Sequence, residues 1–223
     1  MIGLSLAITG VAERRRPGVV PPALSWAYRG ASANTTSTTT TITCTLPETA
    51  QAGDLIVMVT SNSQDINGSD LPFQLGANGT QSSRKRFTVA SGGETSVSMT
   101  FASAANHRAI ALMFRPSGGE INAEAAYYRL GNPPAATALA ISTRPALAVF
   151  CGSYNGSSTA AASSVILPAG FQIVLDQPSS GTFRGLYVGY SIFTGSETTT
   201  GNFRMFYGNA TMNVGRVFEL AAP

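Results

Sequence analysis

Charge is scarce in this chain. Asp, Glu, Lys and Arg make up 11% of its 223 residues, less than half of the roughly 25% usual for a globular domain. It has one histidine, two cysteines and no apolar run of about 18 residues, so no spanning helix is expected. A Ser-His-Asp triad would have to use His107, and no G-x-S-x-G elbow accompanies it. Zinc sites need clustered Cys and His, which are missing. The eleven carboxylates are scattered, with no close pair of the glycosidase kind. No reaction can be named from these residues, and neither an enzyme activity nor a cofactor is expected. A mean hydropathy of +0.12 and a net charge of +3 do not fit a disordered chain. The 23 glycines show no period of three, which excludes collagen.

Hydroxyls stand where charges normally would, with 24 Ser and 24 Thr. The positive excess is local. Arg14, Arg15 and Arg16 form one triplet and Arg84, Lys85 and Arg86 another, and the remainder is nearly neutral. Nucleic-acid binders carry a broad basic face, so no nucleic-acid partner is expected. Arg outnumbers Lys 13 to 1. Its flat fork suits bidentate interface bonds, although a GC-rich genome gives the same bias.

Residues 1–23 read as an arm. Ile2, Leu4 and Leu6 lie in an apolar tip, Arg14, Arg15 and Arg16 follow, and Pro17, Pro21 and Pro22 hold the chain extended. A signal peptide places its positive charge before the apolar stretch, the reverse of this order. An apolar tip must be buried somewhere. A partner protein is the expected place, which makes Ile2, Leu4, Leu6, Arg14, Arg15 and Arg16 the partner-binding residues. The alternative is a strand packed on its own domain.

From Leu24 onward the chain reads as β. In residues 41–46, Ile42, Cys44 and Leu46 alternate with threonines, the period of a half-buried strand. Residues 54–60, apolar from Leu55 to Val59, read as a fully buried strand. Further strands are expected over 84–89, 95–101, 108–114, 123–130, 146–151, 171–175, 183–193, 202–207 and 213–220. Turn signals separate them at Asn67-Gly68, Asn78-Gly79, Gly92-Gly93, Pro116–Gly119, Asn132-Pro133-Pro134 and Asn155-Gly156. No segment shows a long helical stripe. The expected fold is all-β, one jelly-roll-like β-sandwich over 24–223 behind the arm.

The two halves resemble one another. Residues 53–62 match 144–153 in pattern. Each is followed by a Leu-Pro step, at Leu71-Pro72 and Leu167-Pro168, then by an Arg-bearing strand, at 84–87 and 183–187. Each half ends in an apolar strand, 108–114 and 215–220. Two pseudo-repeated halves of one sandwich fit better than a solenoid array.

Few other residues carry chemistry. His107, at a strand edge, reads as an exposed turn residue. Cys44 and Cys151 each sit among strand-forming residues and read as two buried thiols, with a single bridge as the alternative. The loop from Asp65 to Asp70 has calcium-like oxygen spacing, but an EF-hand needs Glu at its twelfth position and residue 76 is Gly. An Asn-Gly turn is the plainer reading, and no metal is expected. Trp26, Tyr28, Tyr127, Tyr128, Tyr187 and Tyr190 suit core packing and interface anchoring, or sugar binding on a hydroxyl-rich surface.

The start Met1-Ile2-Gly3-Leu4-Ser5-Leu6, the knot Arg16-Pro17-Gly18, the threonine tract over 35–45 and Ala52-Gly53-Asp54-Leu55-Ile56-Val57 together resemble accessory virion proteins of tailed bacteriophages. The resemblance implies a non-enzymatic tail or tail-fibre component, docked through its arm and assembled into the virion in the host cytoplasm. Capsid decoration, as a head spike or fibre, is the alternative placement. Implied partners are other virion proteins, further copies of the chain (a trimer first) and, in some such families, a host cell-surface glycan. Membrane insertion is not implied. A secreted carbohydrate-binding or adhesive sandwich is the alternative of a different class. Self-association is expected independently, because 11% charge leaves few charged edge residues to block it.

Overall fold

The computed structural model describes residues 23–62, 74–75, 79–80, 85–101, 103–131, 137–155, 164–206 and 210–222. These are all-β, with no helix among them. The first half contains β1 (Trp26–Ala31), β2 (Thr35–Ser37), β3 (Thr41–Thr45), β4 (Leu55–Asn62), β5 (Gln74–Leu75), β6 (Gly79–Thr80), β7 (Lys85–Val89), β8 (Ser96–Thr100) and β9 (His107–Pro116). The second contains β10 (Glu120–Gly131), β11 (Ala146–Asn155), β12 (Ser164–Ile166), β13 (Gln172–Gln177), β14 (Gly185–Phe193), β15 (Arg204–Phe206) and β16 (Ala210–Ala221).

Two large sheets form the sandwich. One runs β1-β9-β4-β7-β5, with β2 also on β9, and the other runs β10-β16-β11-β14-β13. In each sheet the first strand of the half lies beside its last, and the last beside a long strand, β4 or β11. Farther out the sheets differ, since β5 pairs parallel with β7 and β13 antiparallel with β14. Residues 53–62 and 144–153 run into β4 and β11, and the Arg-bearing segments into β7 and β14.

Alternation along these strands builds three cores. Leu55, Val57 and Val59 of β4, with Ile110, Leu112 and Phe114 of β9, face Leu147, Val149 and Cys151 of β11 and Val214, Phe218 and Leu220 of β16 in the central core. The intervening Ile56, Met58, Ala109, Ala111 and Met113 point outward. There a smaller sheet, β3-β8-β6, covers them with Ile42, Cys44, Val97 and Met99. Outside the second sheet, Leu139, Ile141 and Phe203 cover Ala146, Ala148, Phe150 and Val217. The architecture is therefore a sandwich with a further layer on each outer face. A strand covered on both faces has no polar side to alternate with, which explains the unbroken runs at 55–59, 109–114 and 146–151.

Specific contacts join the halves. Tyr28 and Phe114 both pack on Tyr190, with ring centroids 4.8 and 5.1 Å away. Phe87 meets Phe218 edge-on at 5.0 Å, and the Arg216 guanidinium lies 5.1 Å from the Phe87 centroid. Arg108 donates across the halves to the Pro178 carbonyl at 2.7 Å and to Ser180 Oγ at 2.9 Å. Every long strand expected from the sequence is present. The edge strand β1 was missed, because Gly30 and the irregular register between Tyr28 and Gly30 break its alternation. The short β2, β5, β6 and β12 carry too few residues for a periodic signal.

Phe114 is fully buried where β1, β9 and β14 meet. Phe114→Ala should cost about 3–5 kcal/mol, measured by urea denaturation. The shared core also predicts one cooperative unfolding transition. Two resolved transitions, one for each half, would contradict it.

Candidate interaction surfaces

Ile2, Leu4, Leu6, Arg14, Arg15 and Arg16 lie outside the described residues. The described chain begins at Ala23, and the root that follows is firmly held. Ser25 N donates to Ser117 Oγ and Ser117 N to the Ser25 carbonyl, each at 2.9 Å. Trp26 Nε1 donates to the Pro145 carbonyl at 3.3 Å, tying this root to the second half. Leu24 packs over Gly118 and Gly119 in the β9–β10 connection. Gly119 has φ +85°, and a Cβ there would stand 2.5 Å from the Ala221 carbonyl oxygen, so both conformation and space call for glycine.

Two open clefts flank the root. One, of about 560 Å³, is lined by Ala52, Gly53, Val89 and residues 116–121, including Glu120 and Ile121. Val89 is 45% exposed there. The other, of about 440 Å³, is lined by Ala23, Leu24, Arg144, Pro145 and Thr194.

The threonine tract builds a different surface. Thr41, Thr43 and Thr45 of β3 stand opposite Thr100, Ser98 and Ser96 of β8. The threonines of β3 are exposed and their β8 partners half-buried, while Ile42, Cys44, Val97 and Met99 point inward. Thr41 Oγ1 lies 3.2 Å from Thr100 Oγ1, and Thr43 Oγ1 2.8 Å from Ser98 Oγ. The outer face of this strand pair thus presents six hydroxyls and no charge, with two rungs bonded to each other. Such groups cost less to dehydrate than ions.

The few charges stand in particular places. Asp54, 1% exposed, accepts from Arg115 Nε and Nη2 at 2.7 Å each and from Gln51 N at 2.8 Å. Burial alone would raise the Asp54 carboxyl, but these hydrogen bonds and the charges of Arg115 and Arg29 outweigh it and hold it below the usual carboxylate range. Glu48 bridges Arg29 and Arg115 at the surface, where ion pairs contribute little. The long edge strands are also guarded. The register slips at Arg29 in β1, at Glu124–Ala125 in β10 and at Val174 in β13, two residues from the exposed Asp176. Bulges and charges at these points blunt strand-to-strand pairing. Charge is rare on these edges, as expected, but the little there is stands at or near the bulges.

The other candidate residues divide clearly. His107 is not an exposed turn residue. It is fully buried and stacks on Phe101 at 3.9 Å, because β9 begins at that residue, beneath the outer sheet. Lys85 and Arg86, two of the six residues in the basic triplets, are buried on β7, and burial pushes Arg86 down. Cys44 and Cys151 are buried thiols in separate cores, which excludes a bridge between them. Trp26, Tyr28, Tyr187 and Tyr190 pack in the cores, while the side chains of Tyr127 and Tyr128 lie outside the described residues. So does the loop from Asp65 to Asp70. No group of three or more metal-ligating side chains occurs among the described residues. The Asp54–Arg115 pair was missed in sequence because its partners are 61 positions apart. No family model matches this chain, and neither a curated protein nor a solved structure does.

Because its pKa is depressed on folding, Asp54 contributes stability that is complete above its unfolded value and is lost as pH falls through the folded one. Arg115→Met leaves that carboxylate buried without its fork. The variant should be less stable at neutral pH, and the deficit should shrink in mild acid, where burial favours the protonated form of Asp54. Denaturation curves at both pH values check this. A small, pH-independent loss would mean the pair behaves as a surface bridge.

Proposed function

We propose that this chain is a non-enzymatic structural component of a tailed-phage virion, associated with the tail or its fibres and present as several identical copies. The observation that carries the reading is the uncharged hydroxyl face of β3 and β8. A protein that works alone in water gains from a charged, mixed surface. A face of paired hydroxyls suits close, repeated contact with neighbours, since little solvation is lost when it is covered. The guarded edges of β1, β10 and β13 support the same reading from the other side, because they direct association to faces and to the arm and away from open-ended strand pairing. Capsid decoration would use the same features, and so remains the second placement.

The arm has the docking role. Its three consecutive arginines suit charge-assisted bonds to an acidic surface or to backbone carbonyls. The root is fixed by Ser25, Ser117 and Trp26, so a load carried by the arm reaches both halves of the body.

Mass spectrometry of purified particles of the encoding phage should find the full chain in fixed stoichiometry. A variant lacking residues 1–22 should stay folded, with the β signature in circular dichroism unchanged, and be missing from the particles. Absence of the full chain from the particles would overturn the virion reading. Unfolding of the truncated chain would show that the arm belongs to the core.

A further inference from the structure

We infer that the apolar tip of the arm, Ile2, Leu4 and Leu6, seats in the cleft formed by Ala52, Gly53, Val89 and residues 116–121 of a second copy of the chain. This rests on the docking role proposed above for the arm and names the surface it docks on.

The cleft has suitable chemistry. Ala52, Val89, Pro116 and Ile121 give it apolar walls, and Val89 is left 45% exposed at the end of β7. Ile2, Leu4 and Leu6 are spaced two apart, with Gly3 and Ser5 between them. An extended chain therefore puts all three on one side. Glu120 lines the same cleft and is exposed. The neighbouring cleft is less open to an incoming tip, because the root residues Ala23 and Leu24 already form part of its wall.

The position of the root selects a second copy over the chain's own tip. Leu24 packs on Gly118 and Gly119, which line the receiving cleft, so the cleft stands beside the point where the arm leaves. Sixteen residues separate Leu6 from Ala23, and extended they reach about 55 Å. For a chain to fill its own cleft, this stretch would have to close into a ring beginning at Pro21-Pro22. Those prolines fix φ and hold the residue before each of them extended. A tip arriving from a neighbour needs no such closure. Exchange of identical arms is self-complementary and satisfies every copy in a closed ring or dimer.

The test uses the full chain in two populations, one carrying Leu4→Cys with a size tag and one carrying Val89→Cys. The native Cys44 and Cys151 are buried and take no part under mild oxidation. Mixing should give a covalent species joining one tagged and one untagged chain. In the otherwise unaltered chain, Val89→Arg should lower the oligomer mass, with the melting temperature of the body unchanged at this exposed site. A bridge that forms only within a doubly substituted chain at high dilution would overturn the choice of a second copy. No bridge in a preparation that still forms oligomers would overturn the cleft as the seat. Particle incorporation is a separate readout. If the mixed bridge forms but the chain is absent from particles, the seat stands and the virion reading fails. If the chain is in particles and no mixed bridge forms, the seat fails alone.

Discussion

The structure depends on burying β4, β9, β11 and β16 on both faces. Each large sheet gives one face to the central core and the other to an outer layer. A fully buried Val, Leu or Phe contributes about 1.5–3 kcal/mol by leaving water, so four strands buried on both sides account for much of the folding energy. This arrangement also explains the composition. Strands at the centre of four layers have no solvent face to furnish, and charges have few places to stand.

The buried charges and polar groups follow from the same geometry. Arg115 can hold Asp54 because β9 lies beside β4. Arg108 reaches the carbonyls after β13 because the halves are pressed together there. Burial lowers Arg108 and Arg216, and both lie in this inter-half region, where their flat forks bond to backbone oxygens. Arginine tolerates such places better than lysine because it is weakly hydrated and its fork is rigid.

Among the described residues, the hydroxyl face and the clefts beside Leu24 are surfaces that the core does not use. The hydroxyl face is the outward side of a strand pair whose inward side is apolar, so the threonine tract serves folding and surface at once. The root lies at the β9–β10 connection, where the chain passes from one half to the other. Residues 24–26 are therefore tied to the joint between the halves.

Much of the fold was legible in the residues alone. Ile42, Cys44 and Leu46 alternate with threonines, and the burial alternates with them. Residues 55–59 are apolar without a break, and they are buried without a break. Strand propensity and period are local properties, so the sequence determined the all-β class, most strands and which side of β3 faces inward. The tertiary structure alone decided the rest. His107 looks like a turn residue until the outer sheet covers it, Lys85 and Arg86 look like a basic patch until β7 is enclosed, and the cleft beside Leu24 exists only where residues 52–53, 89 and 116–121 converge. Those outcomes depend on contacts between residues far apart in the chain, and local pattern carries no record of which distant segments will meet.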